Sequence, residues 1–182
     1  MEQQTPEKKV TVSHNALNYG LILGVIQIIL SLLFYMLNVE TDSFIRYLSM
    51  IIMIVGIVFG ILNYRKKINN GFISYGQSLG TGVLIGLFCA ILFSIYFFFF
   101  AKFIDTDLIS EILRKKEEAM ASDPRFTPEI IEQSMHYTRM FVQPWIMSLF
   151  TVLGMTFGCF IASLIISIFT QKKDNSFESN FK

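Results

Sequence analysis

The chain has 182 residues, 53% hydrophobic and only 16% charged, with 19 phenylalanines and a formal net charge of +1. A soluble domain carries about 25% charged residues, so this composition argues against a water-soluble globule. The balanced charge offers no basic face, and no nucleic-acid partner is expected.

Residues 1–16 form a polar N-terminal segment, in which Ser13, His14 and Asn15 are candidate helix caps. Four stretches then lack Asp, Glu, Lys and Arg: residues 10–39, 47–64, 68–101 and 140–171. Crossing about 30 Å of hydrocarbon takes about 20 mostly apolar residues. The pattern predicts membrane spans over 17–37, 44–62, 79–101 and 145–169. The first is read as an uncleaved helix: its apolar core exceeds a signal peptide's, and no Ala-x-Ala site follows. In the second, Arg46 follows Asp42 by one helical turn and can snorkel to the headgroups.

Residues 17–101 therefore hold three spans with short loops. The loop between spans two and three carries Arg65, Lys66 and Lys67, then an Asn70-Gly71 turn signal and the uncharged run Phe72-Ile-Ser-Tyr-Gly-Gln-Ser78. That run is expected at the interface or as an extension of the third helix. Gly71, in the turn, is expected to tolerate a side chain.

Residues 102–144 are the one sizeable polar region and read as a helical hairpin. Ile104, Leu108, Ile109, Ile112 and Leu113 make an apolar stripe over 105–121, with Glu111/Lys115 and Arg114/Glu118 spaced as surface pairs. Thr127 then caps a second helix with Pro128 at its first position. Ile130, Ile131, Met135 and Phe141 are placed either against the first hairpin helix or toward the membrane. Span four follows over 145–169, with Trp145 at the interface, and a flexible tail over 170–182.

Lysine and arginine set the orientation. Arg65–Lys67 and Lys172/Lys173 place the second loop and both termini in the cytoplasm and the hairpin outside.

Ten of the eleven glycines fall into i, i+4 pairs: Gly20/Gly24, Gly56/Gly60, Gly76/Gly80, Gly82/Gly86 and Gly154/Gly158. Two glycines one turn apart strip a helix face to backbone, so these ten are the expected helix-packing residues. Aromatic bulk lies at the other end of the spans, in Phe93, Tyr96 and Phe97 to Phe100.

Chemistry-bearing motifs are missing. Only His14 and His136 are present, so neither a Ser-His-Asp nor an H-E-x-x-H arrangement is available. Glu129 and Glu132 beside His136 are a weak metal pattern. Cys89 and Cys159 read as small apolar residues of the spans. The polar span residues Gln27, Ser31, Ser94, Ser148, Thr151, Thr156 and Ser163 are expected to hydrogen-bond between helices or back to their own backbone. No catalytic, metal or cofactor residues are assigned.

Three features carry a family resemblance: the start Ala16-Leu-Asn-Tyr-Gly-Leu-Ile-Leu-Gly24, the basic turn leading into Gly71-Phe-Ile-Ser-Tyr-Gly-Gln-Ser78 and a Gly-rich span, and the long loop before a Gly-containing final span. In these the chain resembles the small bacterial membrane proteins designated domain of unknown function 4199. The resemblance implies a multi-pass protein of the bacterial inner membrane and supplies no activity or functional residues to carry over. The resulting expectation is an all-α membrane protein with four transmembrane helices and an outer helical hairpin. Its role is non-enzymatic, structural or in assembly, with the bilayer and either a second copy or other membrane proteins as partners. The alternative is a small transporter or channel subunit acting as an oligomer.

Overall fold

A computed structural model describes residues 12–37, 43–67 and 71–172, with side chains described from residue 47 in the middle segment. Six helices follow in order: α1 (Val12–Met36), α2 (Ser43–Lys67), α3 (Tyr75–Phe99), α4 (Leu108–Ala121), α5 (Pro128–Phe141) and α6 (Pro144–Thr170). A π-helical turn, Phe100–Ile104, prolongs α3. There is no named strand among the described residues. The first loop, the Asp42/Arg46 pair and the tail beyond Lys172 lie outside the described residues and side chains.

Four of these helical segments are long and apolar enough to cross a membrane: Val12–Met36, Tyr47–Lys67, Tyr75–Ile104 and Pro144–Thr170. The shortest has 21 residues, about 30 Å at 1.5 Å per residue. Their outward faces are apolar and uncovered, with Ile22, Met50, Phe59, Phe157 and Ile165 each more than half exposed. Such a band is untenable in water and ordinary in lipid. The backbone argument agrees, because helices alone satisfy every spanning N–H and C=O internally. The chain is an all-α multi-pass membrane protein.

The chain forms two compact units, one of Met1–Leu92 with Met155–Lys182 and one of Phe93–Gly154. In the first, α3 is central. Leu23 of α1 packs on Gly56 of α2, and Ile85 of α3 reaches Gly60 of α2 and Gly20 of α1. The core around them is Ala16, Leu23, Ile57, Ile61, Ile85 and Cys89, closed by Cys159 and Ile166 of α6. The α3–α6 pair is antiparallel, and a short bridge sets its register. Ile73 N–H donates to Lys172 O at 3.0 Å and Lys172 N–H returns to Ile73 O at 2.9 Å. Nine residues on from Ile73 and nine back from Lys172 are Gly82 and Ser163, which meet, as do Gly86 and Cys159 one turn further along.

Tyr75–Ser78 extend the third helix ahead of residue 79, one of the two readings expected, while Ile73 departs from both by forming the bridge. Ile73 is 1% exposed, and α3 begins at Tyr75. The reading of Gly71 is corrected. Its φ is +89° and its N–H donates to Arg65 O at 2.9 Å, so it closes α2 in a left-handed conformation where side chains are strained. Ser13, His14 and Asn15 lie within α1 rather than capping it, and Asn15 is buried.

In the second unit, Ser94 Oγ of α3 donates to Ser148 O of α6 at 2.8 Å. The aromatic run packs ring against ring along one helix, Tyr96 tilted against Phe100 at 5.5 Å and Phe99 stacked on Phe103 at 6.0 Å. The π turn ends where Asp105 N–H bonds Phe100 O at 2.9 Å. Asp105 closes this turn, and α4 begins at Leu108 rather than at the expected Asp105. α4 then packs on α5. At the tip, the Arg125 guanidinium lies 2.6 Å from Asp123 and holds that carboxyl below the usual carboxylate range. Thr127 precedes Pro128 in an extended conformation, and the Thr127 hydroxyl, with the Glu129 backbone N–H, lowers the Glu129 carboxyl. The pairs Arg114/Glu118 and Lys115/Glu111 form at 2.8 and 4.0 Å.

Replacing Gly71 by alanine should cost about 1–2 kcal/mol because of its positive φ, whereas Gly76→Ala on α3 should be neutral. Unfolding in detergent checks the pair, and equal midpoints for the two variants would contradict the turn assignment.

Candidate functional site: the glycine seams and the hairpin cleft

The ten paired glycines divide into two groups. Six lie against another helix. A Cβ on Gly20 would meet the Phe88 Cβ at 2.6 Å and the Ile85 carbonyl oxygen at 2.8 Å; one on Gly24 would meet Leu92 Cδ2 at 2.8 Å. Gly56 is filled by Leu23, Gly60 by Ile85 and Tyr19, Gly82 by Ser163 and Ile57, and Gly86 by Cys159. All six lie in the first compact unit. Gly76, Gly80, Gly154 and Gly158 meet no other helix among the described residues: nothing lies within 4 Å of a Cβ placed on them. The helical period separates the two kinds. On α6 the residues that meet the α3 glycines are Cys159 and Ser163, while Gly154 and Gly158 turn another way and are exposed.

Polar groups tie the same helices. Asn15 Nδ2 donates to Gly60 O at 3.0 Å, and Asn63 Nδ2 donates to Asn15 Oδ1 at 2.9 Å. Gln27 Nε2 donates to Ser49 O at 2.9 Å. Thr170 joins three helices: its carbonyl accepts from Arg65 Nη1 at 3.1 Å and its hydroxyl pairs with Ser78 Oγ at 2.6 Å. Arg65 thereby caps the C-terminus of α6, where a cation is favoured. Sequence reasoning missed Asn15, Asn63, Ser78 and Thr170. The available signal was an amide near an end of each of two neighbouring spans.

The polar span residues behave in three ways. Gln27 and Ser94 bond across to another helix. Ser148 and Thr151 bond back to Pro144 O and Met147 O, each at 2.8 Å. Thr156 Oγ1, Ser163 Oγ, Ser167 Oγ and Arg65 Nε are enclosed without a hydrogen-bond partner. The two cysteines are free thiols, both buried.

A cleft of about 490 Å³ lies between α4 and α5, lined by Glu117, Ile131, Glu132, Met135, His136 and Arg139 among others. Met135 forms its buried floor at 3% exposure, while the charged side chains and His136 stand in solvent. Glu129 does not line it. No group of three His, Cys, Asp or Glu side chains able to hold a metal ion occurs among the described residues. The arrangement is a solvated charged rim over an apolar floor.

The profile of the family described as "Protein of unknown function (DUF4199)" matches residues 18–172, from early in α1 to the bridge at Lys172. The chain belongs to the DUF4199 family. Comparison with curated proteins and with solved structures finds no match. The match takes in all ten paired glycines of this DUF4199 protein and the whole hairpin, but begins after Asn15.

The two groups of glycines should respond differently to alanine. Gly20→Ala and Gly86→Ala push a Cβ against backbone or Cβ atoms and should cost about 1–3 kcal/mol of overpacking. Gly24→Ala and Gly60→Ala meet side-chain tips that can move, and should cost less. Gly154→Ala and Gly158→Ala should not destabilise. Thermal unfolding in detergent gives the ranking, and a loss at Gly154 matching that at Gly20 would refute it.

Proposed function

We propose that this DUF4199 protein is a non-enzymatic membrane protein whose role is structural, exercised by assembling with further membrane helices. The observation that carries this reading is the uncovered pair Gly154/Gly158 on α6. In the same chain, Gly20/Gly24, Gly56/Gly60 and Gly82/Gly86 each receive a neighbouring helix. Gly154 and Gly158 present the same small-x-x-x-small surface, flanked by the exposed Leu153, Phe157 and Ile161, with nothing against it among the described residues. In lipid, association is driven by close packing rather than by apolar burial, and such a surface is suited to it. Gly76/Gly80 on α3 is a second uncovered pair.

We place the protein in the bacterial inner membrane with both termini in the cytoplasm. Supporting this, Arg65 bonds Thr170 and Lys172 bridges Ile73, so Arg65, Lys66, Lys67 and Lys172 gather at one end of the first unit. The positive-inside rule assigns that end to the cytoplasm. Reporters fused after residue 182 and within residues 119–123 should then report opposite sides; same-side signals would sink the four-span topology.

The assembly test uses a double variant, Gly154→Leu with Gly158→Leu. It should leave the unfolding midpoint of the isolated chain intact. Association should weaken on the order of tenfold, the scale of a packing contact worth about 1–2 kcal/mol. Purification from native membrane with and without the double change measures it. A retained heterologous partner in the unaltered chain supports the structural role. A lone symmetric oligomer favours the alternative of a transporter or channel subunit. Unchanged association in the double variant removes the α6 surface from the proposal.

A further inference from the structure

Helix α5 is apolar on two opposite sides. Ile131 and Met135 turn toward α4 and line the cleft. Ile130, Tyr137, Met140 and Phe141 project from the other side and are 44, 55, 54 and 58% exposed. Tyr137 is two residues from Met135, about 160° around the helix. One apolar side is enough to hold two short helices together in water. A second, left bare, forfeits about 25 cal/mol for every Å² it keeps wet.

What covers this second side follows from the chain's continuity with a membrane span. α5 ends at Phe141 and α6 begins at Pro144. Phe141 and Pro144 are three Cα steps apart, at most about 11 Å, so the end of α5 is held near the depth where α6 enters the bilayer. Interfacial side chains mark that depth. Trp145 is 59% exposed, with its indole N–H donating to Gln143 Oε1 at 2.9 Å. At the end of α3, Lys102 Nζ lies 5.5 Å from the centre of the Phe98 ring and 5.4 Å from that of Phe103. Indole rings and cations over aromatic stems are the composition of the headgroup zone.

We infer that the Ile130–Tyr137–Met140–Phe141 side of α5 docks into the headgroup zone of the leaflet in which α3 ends and α6 begins. The partner is the protein's own bilayer. α5 lies in the membrane plane as an amphipathic helix does, and the flank at the cleft rim, with Glu132 and His136, faces water. The inference is independent of the assembly proposal and of which leaflet is outermost.

The full chain in phosphatidylcholine vesicles tests it. The chain has one tryptophan, so Trp145→Phe gives a silent background. Onto it are placed, singly, Tyr137→Trp, Ile130→Trp and His136→Trp. Quenching is read with lipids brominated high on the acyl chain and with iodide present on both sides of the membrane. Tyr137→Trp and Ile130→Trp should be quenched by the brominated lipid at least about twofold more than His136→Trp, with iodide giving the reverse order, as expected of interfacial and aqueous sites. Equal iodide quenching at positions 136 and 137 would overturn the inference. Protection of positions 130 and 137 from both quenchers would also overturn it, because a protein surface rather than lipid would then cover this side. The two reporters on the docking side guard against one substitution that fails to fold.

Discussion

The constraint on which the rest of the first unit depends is the closeness of α3 to its neighbours. Lipid tails are as apolar as leucine, so burying apolar surface does not hold these helices together. Dispersion at short range does, and it needs backbones that approach without intervening side chains. Glycine makes that approach available where α1 crosses α3 at Gly20, and where α3 crosses α6 at Gly82 and Gly86. Ile85 then fits between three helices at 0% exposure, and the thiols Cys89 and Cys159 fill spaces that a longer side chain would not enter.

The polar contacts follow from that geometry. Where helices come this close, an amide or hydroxyl reaches a carbonyl on the next helix, as Asn15 reaches Gly60 and Gln27 reaches Ser49. At the basic end the approach is closed by groups outside the helical ladders. Gly71 turns the chain, Ile73 pairs with Lys172, and Arg65 caps α6 through Thr170. These bonds satisfy carbonyls that a helix end leaves free. They also fix the α3–α6 register, so the backbone bridge and the Gly82–Ser163 contact specify the same alignment.

The second unit works on different principles. No paired glycine there meets another helix; aromatic stacking and the Ser94–Ser148 bond serve instead. The hairpin has a charged rim on one side and a bare apolar side on the other. Ile131 and Met135 line the cleft toward α4, while Ile130, Tyr137, Met140 and Phe141 are exposed.

Several features were legible in the residues alone. Uninterrupted uncharged stretches specify spans because burying a charge in hydrocarbon is costly, and Thr127-Pro128 specifies a helix start because proline's missing N–H is no loss there. The all-α architecture, the hairpin and its surface ion pairs followed from such local rules. The spacing of the glycines also marked which residues were capable of close approach. It did not show which of them achieve it. Gly82 and Gly86 are filled, whereas Gly154 and Gly158 are bare, although all four satisfy the same local rule. The difference lies in the rotation of each helix about its axis, which packing partners distant in sequence decide. The same holds for Ile73, 1% exposed and bridged to Lys172 far along the chain, and for Gly71, which takes a positive φ between α2 and α3. Periodicity determines that a helix has a face; only the tertiary structure decides what that face meets, because the choice is made by the other helices.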